Sequence, residues 1–279
     1  MSVYSENKRL RPLLVGSHIQ CAVLHGFSPL SAQVLAEKLV AGSAIEELPG
    51  DFALVIRGTQ HGRSFECLAT SAVSAIPYYY AYKDNVFAHG TNIFEVVRKT
   101  GLPWRWNLRA LNCLALMEHC IGEDTLHADI KRAQPASIYY FADGSLSVVT
   151  YDYLQRFRVG ESAALSHAVQ TYNAVFDEYY AGRTDVCLSM SAGYDSRALL
   201  ASLLQRGMKP ILGTMGTPET TDHAIARRIA KDMHLEHRTV KLRVEDYVKY
   251  ADTIIELSSG TKTLGNWHTY VYTRNVDFP

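Results

Sequence analysis

The sequence predicts an α/β protein with two differently built parts: antiparallel strands with a few helices first, then a doubly wound parallel sheet. Three observations predict it. Residues 1 to about 150 contain short β-prone runs separated by turn residues. Beyond about residue 160 the pattern becomes helix, strand, helix, strand, helix, strand, helix, the order of a parallel sheet with crossover helices. The first strand of that series runs into a tight small-residue loop, Ser191-Ala192-Gly193-Tyr194-Asp195-Ser196, with a helix directly behind it.

In the first part, runs 13–15, 18–24, 52–57, 65–70, 78–82 and 86–88 are predicted strands. Turns are expected at Pro49-Gly50-Asp51, at Gly58 with Gly62, and at Lys83-Asp84-Asn85. Asp143-Gly144 stands between runs 138–141 and 146–149, a two-residue hairpin signal. Helices are expected over 29–40, 94–99 and 108–119.

In the second part a helix over 163–180 precedes a strand over 186–190. The helix over 196–206 carries Leu199, Leu200, Leu203 and Leu204 on one face and stops at Gly207. A strand over 210–215 follows, then a helix over 222–234 with Asp222 as N-cap and Ile225, Ile229 and Met233 four apart. A strand over 237–242 and a helix over 244–257 complete the series. In such sheets ligands sit outside the carboxyl ends of the strands, where the 191–196 loop lies.

The chain of 279 residues is long enough for one large domain or two ordinary ones, and 47% hydrophobic residues can build a packed core. Lys+Arg and Asp+Glu both number 28, so there is no basic excess to suggest a nucleic-acid partner. Cys21, Cys67, Cys113, Cys120 and Cys187 form no C-x-x-C pair, and an odd, scattered set points to reduced thiols and a cytoplasmic location. No stretch approaches the roughly 18 apolar residues of a membrane span, and no signal peptide is expected.

The loop has the makings of an anion site. Ala192 and Gly193 allow close backbone approach, and Gly193 can take positive φ without steric cost. Ser191 and Ser196 offer hydroxyl donors. Asp195 would repel phosphate directly, and fits if Mg²⁺ lies between them. The helix N-terminus adds roughly 0.3–1 kcal/mol for a nearby anion. The loop matches neither a Walker A motif nor a Rossmann fingerprint. On spacing alone, a phosphate site and a plain strand-to-helix turn both stand.

The loop resembles the S-G-G-x-D-S pyrophosphate loop of the PP-loop ATP pyrophosphatases. More closely, the chain resembles the asparagine-synthetase-like family, in the branch reading S-[AG]-G-x-D-S-R. ELPGDFALVI (47–56), IPYYY (76–80), the stretch 213–237 and GNWHTYVYT (265–273) resemble further family segments. The resemblance implies an Ntn-type α/β/β/α sandwich, glutaminase-like, over 1–155 and a PP-loop ATP domain over 156–279. It implies that Ser191, Gly193, Asp195 and Ser196, with Ala192 and Tyr194 completing the loop, hold the pyrophosphate of ATP with Mg²⁺ near Asp195. Met190 and Met215 would hold adenosine through backbone groups. The implied chemistry is an AMP-forming carbon–nitrogen ligation: ATP activates a carboxylate as an acyl-adenylate, pyrophosphate leaves, and a nitrogen nucleophile attacks. Charge builds on the leaving group, so preorganised donors and cations matter most.

Two departures shape the expectation. The family glutaminase uses an N-terminal cysteine, whereas this sequence begins Met1-Ser2, and the R-G-P-D-like glutamine-binding pattern is absent. Ser2 could serve as an Ntn nucleophile in principle. The simpler expectation is an inactive first domain and an amine already present in a small-molecule or peptide substrate, as in the β-lactam-forming synthetases and lasso-peptide cyclases of the family. The family's second loop, S-G-x-G-x-D-E, and its later catalytic lysine do not occur before Pro279, so the ATP domain is expected to be incomplete at its C-terminus. A longer chain, a second chain completing the site or a non-catalytic paralogue would each account for that. A tRNA-modifying PP-loop enzyme is the rival within enzymes, disfavoured by the charge balance and unpaired cysteines.

Other residues carry two readings each. Arg197 either reaches phosphate or substrate or is a solvated helix arginine. Asn266, Trp267, His268 and Tyr270 either face substrate or fill ordinary core and surface positions. Asp222 is a helix cap or a ligand. His234 and His237 span a helix end into a strand and need not converge on a metal. Tyr78, Tyr79 and Tyr80 read as strand residues on a half-buried face, and Cys187 as a buried, inert thiol.

Overall fold

A computed structural model describes residues 13–151 and 161–275. The chain divides into two compact units: Met1–Arg158 with Glu256–Lys262, and Val159–Ile255 with Thr263–Pro279.

Unit 1 runs β1 (His18–Phe27), α1 (Ala32–Val40), β2 (Asp51–Gln60), β3 (Arg63–Thr70), β4 (Tyr79–Lys83), β5 (Val86–Gly90), α2 (Ile93–Thr100), α3 (Leu108–Met117), β6 (Lys131–Arg132), β7 (Ser137–Ala142) and β8 (Ser145–Thr150). β1-β2-β3-β7-β8 form one antiparallel sheet and β5-β4-β6 a second. Strand alternation explains the layering. Phe52, Leu54 and Ile56 of β2 pack with Leu35 and Leu39 of α1. The intervening Ala53 and Val55 face the other way, into a cluster with Tyr80 of β4 and Phe87 of β5. Tyr79 and Ala81, on the far face of β4, meet Ile93 and Val96 of α2. The layers are therefore helix, sheet, sheet, helix.

Several boundaries differ from the sequence expectation for local reasons. Residues 13–15 are a turn, not a strand. α1 starts at Ala32, not residue 29, because Ser31 caps it by accepting from Val34 N at 3.3 Å. Gly58 is a β2 residue, not a turn residue; a Cβ there would lie 2.2 Å from His18 O on the paired strand. The turn itself is His61-Gly62, with φ of 51° and 78°. Asp143-Gly144 forms the expected hairpin turn, with φ of 51° and 72°.

Glu256–Lys262 joins unit 1 through long-range bonds that no local pattern signals. Ser259 Oγ accepts from Ile93 N at 3.1 Å, and Thr261 O accepts from Cys120 N at 3.1 Å.

Unit 2 runs α4 (Glu161–Tyr180), β9 (Cys187–Ser189), α5 (Tyr194–Gln205), β10 (Ile211–Met215), α6 (Thr221–Asp232), β11 (His237–Val240), α7 (Val244–Ser258), a 3₁₀ turn (Leu264–Trp267) and α8 (His268–Asn275). The last turn of α7 is counted with unit 1. The strands are parallel in the order β11-β10-β9. Phe176 of α4, Leu200 and Leu203 of α5 and Ala226 of α6 pack with Leu188 and Leu212, so three helices cover one face. Gly213, the residue after Leu212, points to the other face, where Tyr272 of α8 lies against it. Among the described strands each crossover steps the same way across the sheet, so α5 and α6 share a face, and α8, from the C-terminal stretch, covers the other.

Candidate functional site

The loop grows from the carboxyl end of β9. Met190, 2% exposed, is anchored by β10 through both of its backbone polar groups: its N donates to Gly213 O at 2.8 Å, and its O accepts from Thr214 Oγ1 at 2.9 Å. Gly213 pairs with Ser189, so the register continued two residues sets Met215 level with Ser191. Met215 is half-buried at the end of β10.

Beyond Met190 the loop closes on itself. Ser191 N donates to Ser196 Oγ at 3.3 Å, the two hydroxyls are 3.2 Å apart, and Gly193 N donates to Ser191 Oγ at 3.1 Å. Ala192 N instead donates to Asp222 Oδ1 at 2.7 Å. α5 begins at Tyr194, two residues earlier than expected, which places Asp195 and Ser196 in its first turn. Its N-cap residue is Gly193, and no side chain caps the helix. The first-turn N–H groups therefore face outward without a side-chain acceptor.

Gly193 does not use positive φ; its φ is −69° and ψ 159°, extended backbone that any residue adopts. Its missing side chain matters for space: a Cβ there would meet only Ser191 Oγ, at 3.2 Å. Asp195 is exposed and has no partner among the described residues. Tyr194 is 84% exposed, with the Arg197 guanidinium 4.5 Å from its ring centroid. Arg197 Nε donates to Gly193 O at 3.1 Å.

Asp222 is not the cap of α6. Thr220 holds that position, its side chain accepting from His223 N at 3.5 Å, which leaves the Asp222 carboxylate for the loop. The sequence placed an acid here but could not name its partner, 30 residues away.

The C-terminal candidates lie in the 3₁₀ turn and α8. Asn266 lies in the 3₁₀ turn. His268 is exposed at the start of α8. The Tyr270 ring stacks edge-on with Tyr250, and its hydroxyl accepts from Arg274 Nε at 3.2 Å. Among the described residues no hydrogen bond or ring contact joins Trp267, His268 or Tyr270 to residues 190–197. Tyr272, unremarked in the sequence, is the α8 residue that reaches the sheet. Its hydroxyl lies 3.8 Å from the half-buried Cys187 Sγ, and burial raises both groups above their ordinary pKa values.

His234 and His237 diverge. His234 is exposed at φ 53°, whereas His237 Nε2 pairs with Thr214 Oγ1 at 3.0 Å. Burial, then His223 and Arg227, lowers the His237 pKa. Among the described residues no group of three His, Cys, Asp or Glu could hold a metal ion by itself.

Ser2 and Pro279 both lie outside the described residues. A polar chain spans the two sheets: Glu66 pairs with Arg57 and, at 2.7 Å, with His89 Nε2, while His89 Nδ1 meets Tyr78 Oη at 3.1 Å. Burial alone would raise the Glu66 pKa. Hydrogen bonds from His89 and Arg57, with their charge, outweigh it and hold the carboxyl down to about 2. An open cavity of about 290 Å³ adjoins Arg57 and Glu66.

No protein-family model matches the chain. It is 28% identical over 236 residues, 81% of its length, to the Methanocaldococcus jannaschii protein named "Putative asparagine synthetase 1, glutamine-hydrolyzing". The chain spans 40% of the length of that relative. A solved structure described as a "predicted subunit of tRNA methyltransferase", also from Methanocaldococcus jannaschii, matches 26% of this chain and 37% of its own at 30% identity and a TM-score of 0.20. What is established is a distant likeness to an asparagine-synthetase-type sequence on a mixed α/β chain with parallel and antiparallel sheets. No helix of the described residues is long and apolar enough to cross a membrane.

Proposed function

We propose that residues 190–197 form the Mg-ATP site of an asparagine-synthetase-like, PP-loop ligase unit. The observation that carries this reading is the uncapped α5 N-terminus, with the Ser191 and Ser196 hydroxyls at its mouth and Asp195 unpartnered in its first turn. The similarity to the archaeal protein, whose name states asparagine synthetase, supports it.

The residues fit the group. Outward N–H groups and the helix dipole suit pyrophosphate, and the open space at Gly193 lets phosphate approach the backbone. Asp195 would carry the Mg²⁺ that offsets its repulsion from phosphate. Met190 and Met215, at the ends of β9 and β10, would bound the adenosine. Arg197, held by Nε on Gly193 O and by its stacking over Tyr194, would use its terminal nitrogens to hold an anionic part of substrate or phosphate. Bound ATP would supply the adenylyl group that makes a carboxylate oxygen a leaving group. The chain's own residues orient the phosphates, neutralise charge on the departing pyrophosphate and keep the loop rigid.

In this reading the first domain, 1–155, is glutaminase-like but without glutaminase activity, so the nitrogen comes from an amine in a small-molecule or peptide substrate. The ATP domain in this reading spans 156–279. The protein works in the cytoplasm, without nucleic-acid or membrane partners. Calorimetric titration with Mg-ATP tests the site: binding that is lost in Asp195→Asn is expected. Product analysis by ³¹P NMR tests the chemistry. AMP with pyrophosphate is expected, and ADP would overturn the reading.

A further inference from the structure

The three N–H groups at the front of the loop are held in different ways. Those of Ser191 and Gly193 close onto serine hydroxyls within the loop. That of Ala192 is held from outside, by Asp222 Oδ1 at 2.7 Å. Asp222 is free to do this because Thr220 caps α6 in its place. The bond has a carboxylate acceptor and is shorter than its neighbours, as expected of a charge-assisted hydrogen bond. It ties the start of α6 to the front of the loop, while Thr214 and Gly213 of β10 tie the loop's stem at Met190.

We propose that Asp222 is a positioning residue for the nucleotide loop: its carboxylate fixes the Ala192 peptide, and through it the path of Gly193 and the direction of the first-turn N–H groups of α5. The proposal rests on the reading of the loop as a Mg-ATP site. Without this bond, the bonds from another element to the Ala192–Gly193 segment are those that Arg197 Nε and Ser196 Oγ of α5 donate to Gly193 O, at 3.1 and 3.3 Å, and neither holds the Ala192 peptide N–H. A loop that must be ordered by its ligand binds that ligand less tightly, because ordering then opposes binding.

The test uses the chain of 279 residues as wild type, Asp222→Ala and Asp222→Asn. Asparagine keeps an oxygen acceptor for Ala192 N; alanine does not. Amide hydrogen exchange of the free protein over residues 190–197 should quicken about tenfold or more in Asp222→Ala and return most of the way in Asp222→Asn. The dissociation constant for Mg-ATP should rise about tenfold in Asp222→Ala, the loss of one good hydrogen bond to a charged group, with recovery in Asp222→Asn. The thermal midpoints should stay close to wild type, since Asp222 is exposed.

Unchanged exchange in Asp222→Ala overturns the proposal whatever the binding result. Mg-ATP binding that is equal in wild type and Asp222→Ala also overturns it, and leaves the ATP site standing. If wild type fails to bind Mg-ATP while exchange quickens in Asp222→Ala, Asp222 still positions the loop and the ATP reading is what falls.

Discussion

The hydroxyl of Tyr272 fills the space beside Gly213: a Cβ on Gly213 would lie 1.7 Å from Tyr272 Oη and 2.9 Å from its Cζ. Strand β10 and helix α8 meet there because β10 has no side chain at that position. The contact sits one residue from Thr214, which bonds Met190 at the stem of the loop.

Gly213→Ala should therefore push Tyr272 off the sheet and destabilise unit 2 by about 1–3 kcal/mol, the range for overpacking. Tyr272→Phe in that background should recover part of the loss, since the phenol oxygen makes the closest approach. Urea unfolding of the single and double variants checks this; equal midpoints for Gly213→Ala and wild type would refute the packing argument.

Thr214 is 2% exposed, and its Oγ1 contacts both Met190 O and His237 Nε2. Thr214→Val keeps the shape and removes both bonds, so a loss of about 1–3 kcal/mol is expected for the buried groups left unpaired. Thr214→Ser should restore most of it. Thermal melts followed by circular dichroism separate the two variants.

The Glu66 carboxyl is held at about 2, below its ordinary 4.5. The folded state therefore favours its ionised form. That contribution to stability is complete above about pH 4.5, and is lost as the pH falls from there towards 2. Glu66→Gln should lower stability at neutral pH by about 1–3 kcal/mol, because His89 and Arg57 lose their charged acceptor. The variant should also flatten the acid limb. Urea midpoints of both proteins, measured from neutral pH down to about 2, check the sign: a wild-type acid limb no steeper than that of the variant would contradict it.

Cys21 is exposed, whereas Cys67 is fully buried and burial pushes its thiol far up. A thiol reagent at neutral pH should modify Cys21 first and Cys67 only on unfolding. Peptide mapping of the native protein after brief labelling distinguishes them, and early label on Cys67 would place it wrongly in the core.

Much of the fold is legible from local pattern. β-prone runs bounded by turn residues over 52–57 and 65–70 mark β2 and β3, Asp143-Gly144 marks the β7–β8 hairpin, and the four-residue spacing of Ile225 and Ile229 marks α6. Helix ends were less legible, because caps compete: Ser31 and Thr220 won over neighbouring candidates by where their oxygens reach an N–H. The loop 191–196 could be found from its small residues and its place between strand and helix, but the conformation of Gly193 could not. The stretch 265–273 shows the limit most plainly. Its polar and aromatic residues suggested contact with substrate, and nothing local marked Tyr272 as the residue that meets Gly213 of the sheet.

The sequence by itself determined the element types, the change from antiparallel to parallel strands and the position of the loop, because periods of two and 3.6 residues and turn chemistry are written in contiguous residues. The tertiary structure alone decided that Asp222 holds Ala192, that Tyr272 fills the space at Gly213, that Glu256–Lys262 joins the first unit and that α5 and α6 share a face. Each of these joins residues tens of positions apart, and their meeting depends on how whole elements pack, which no local pattern encodes.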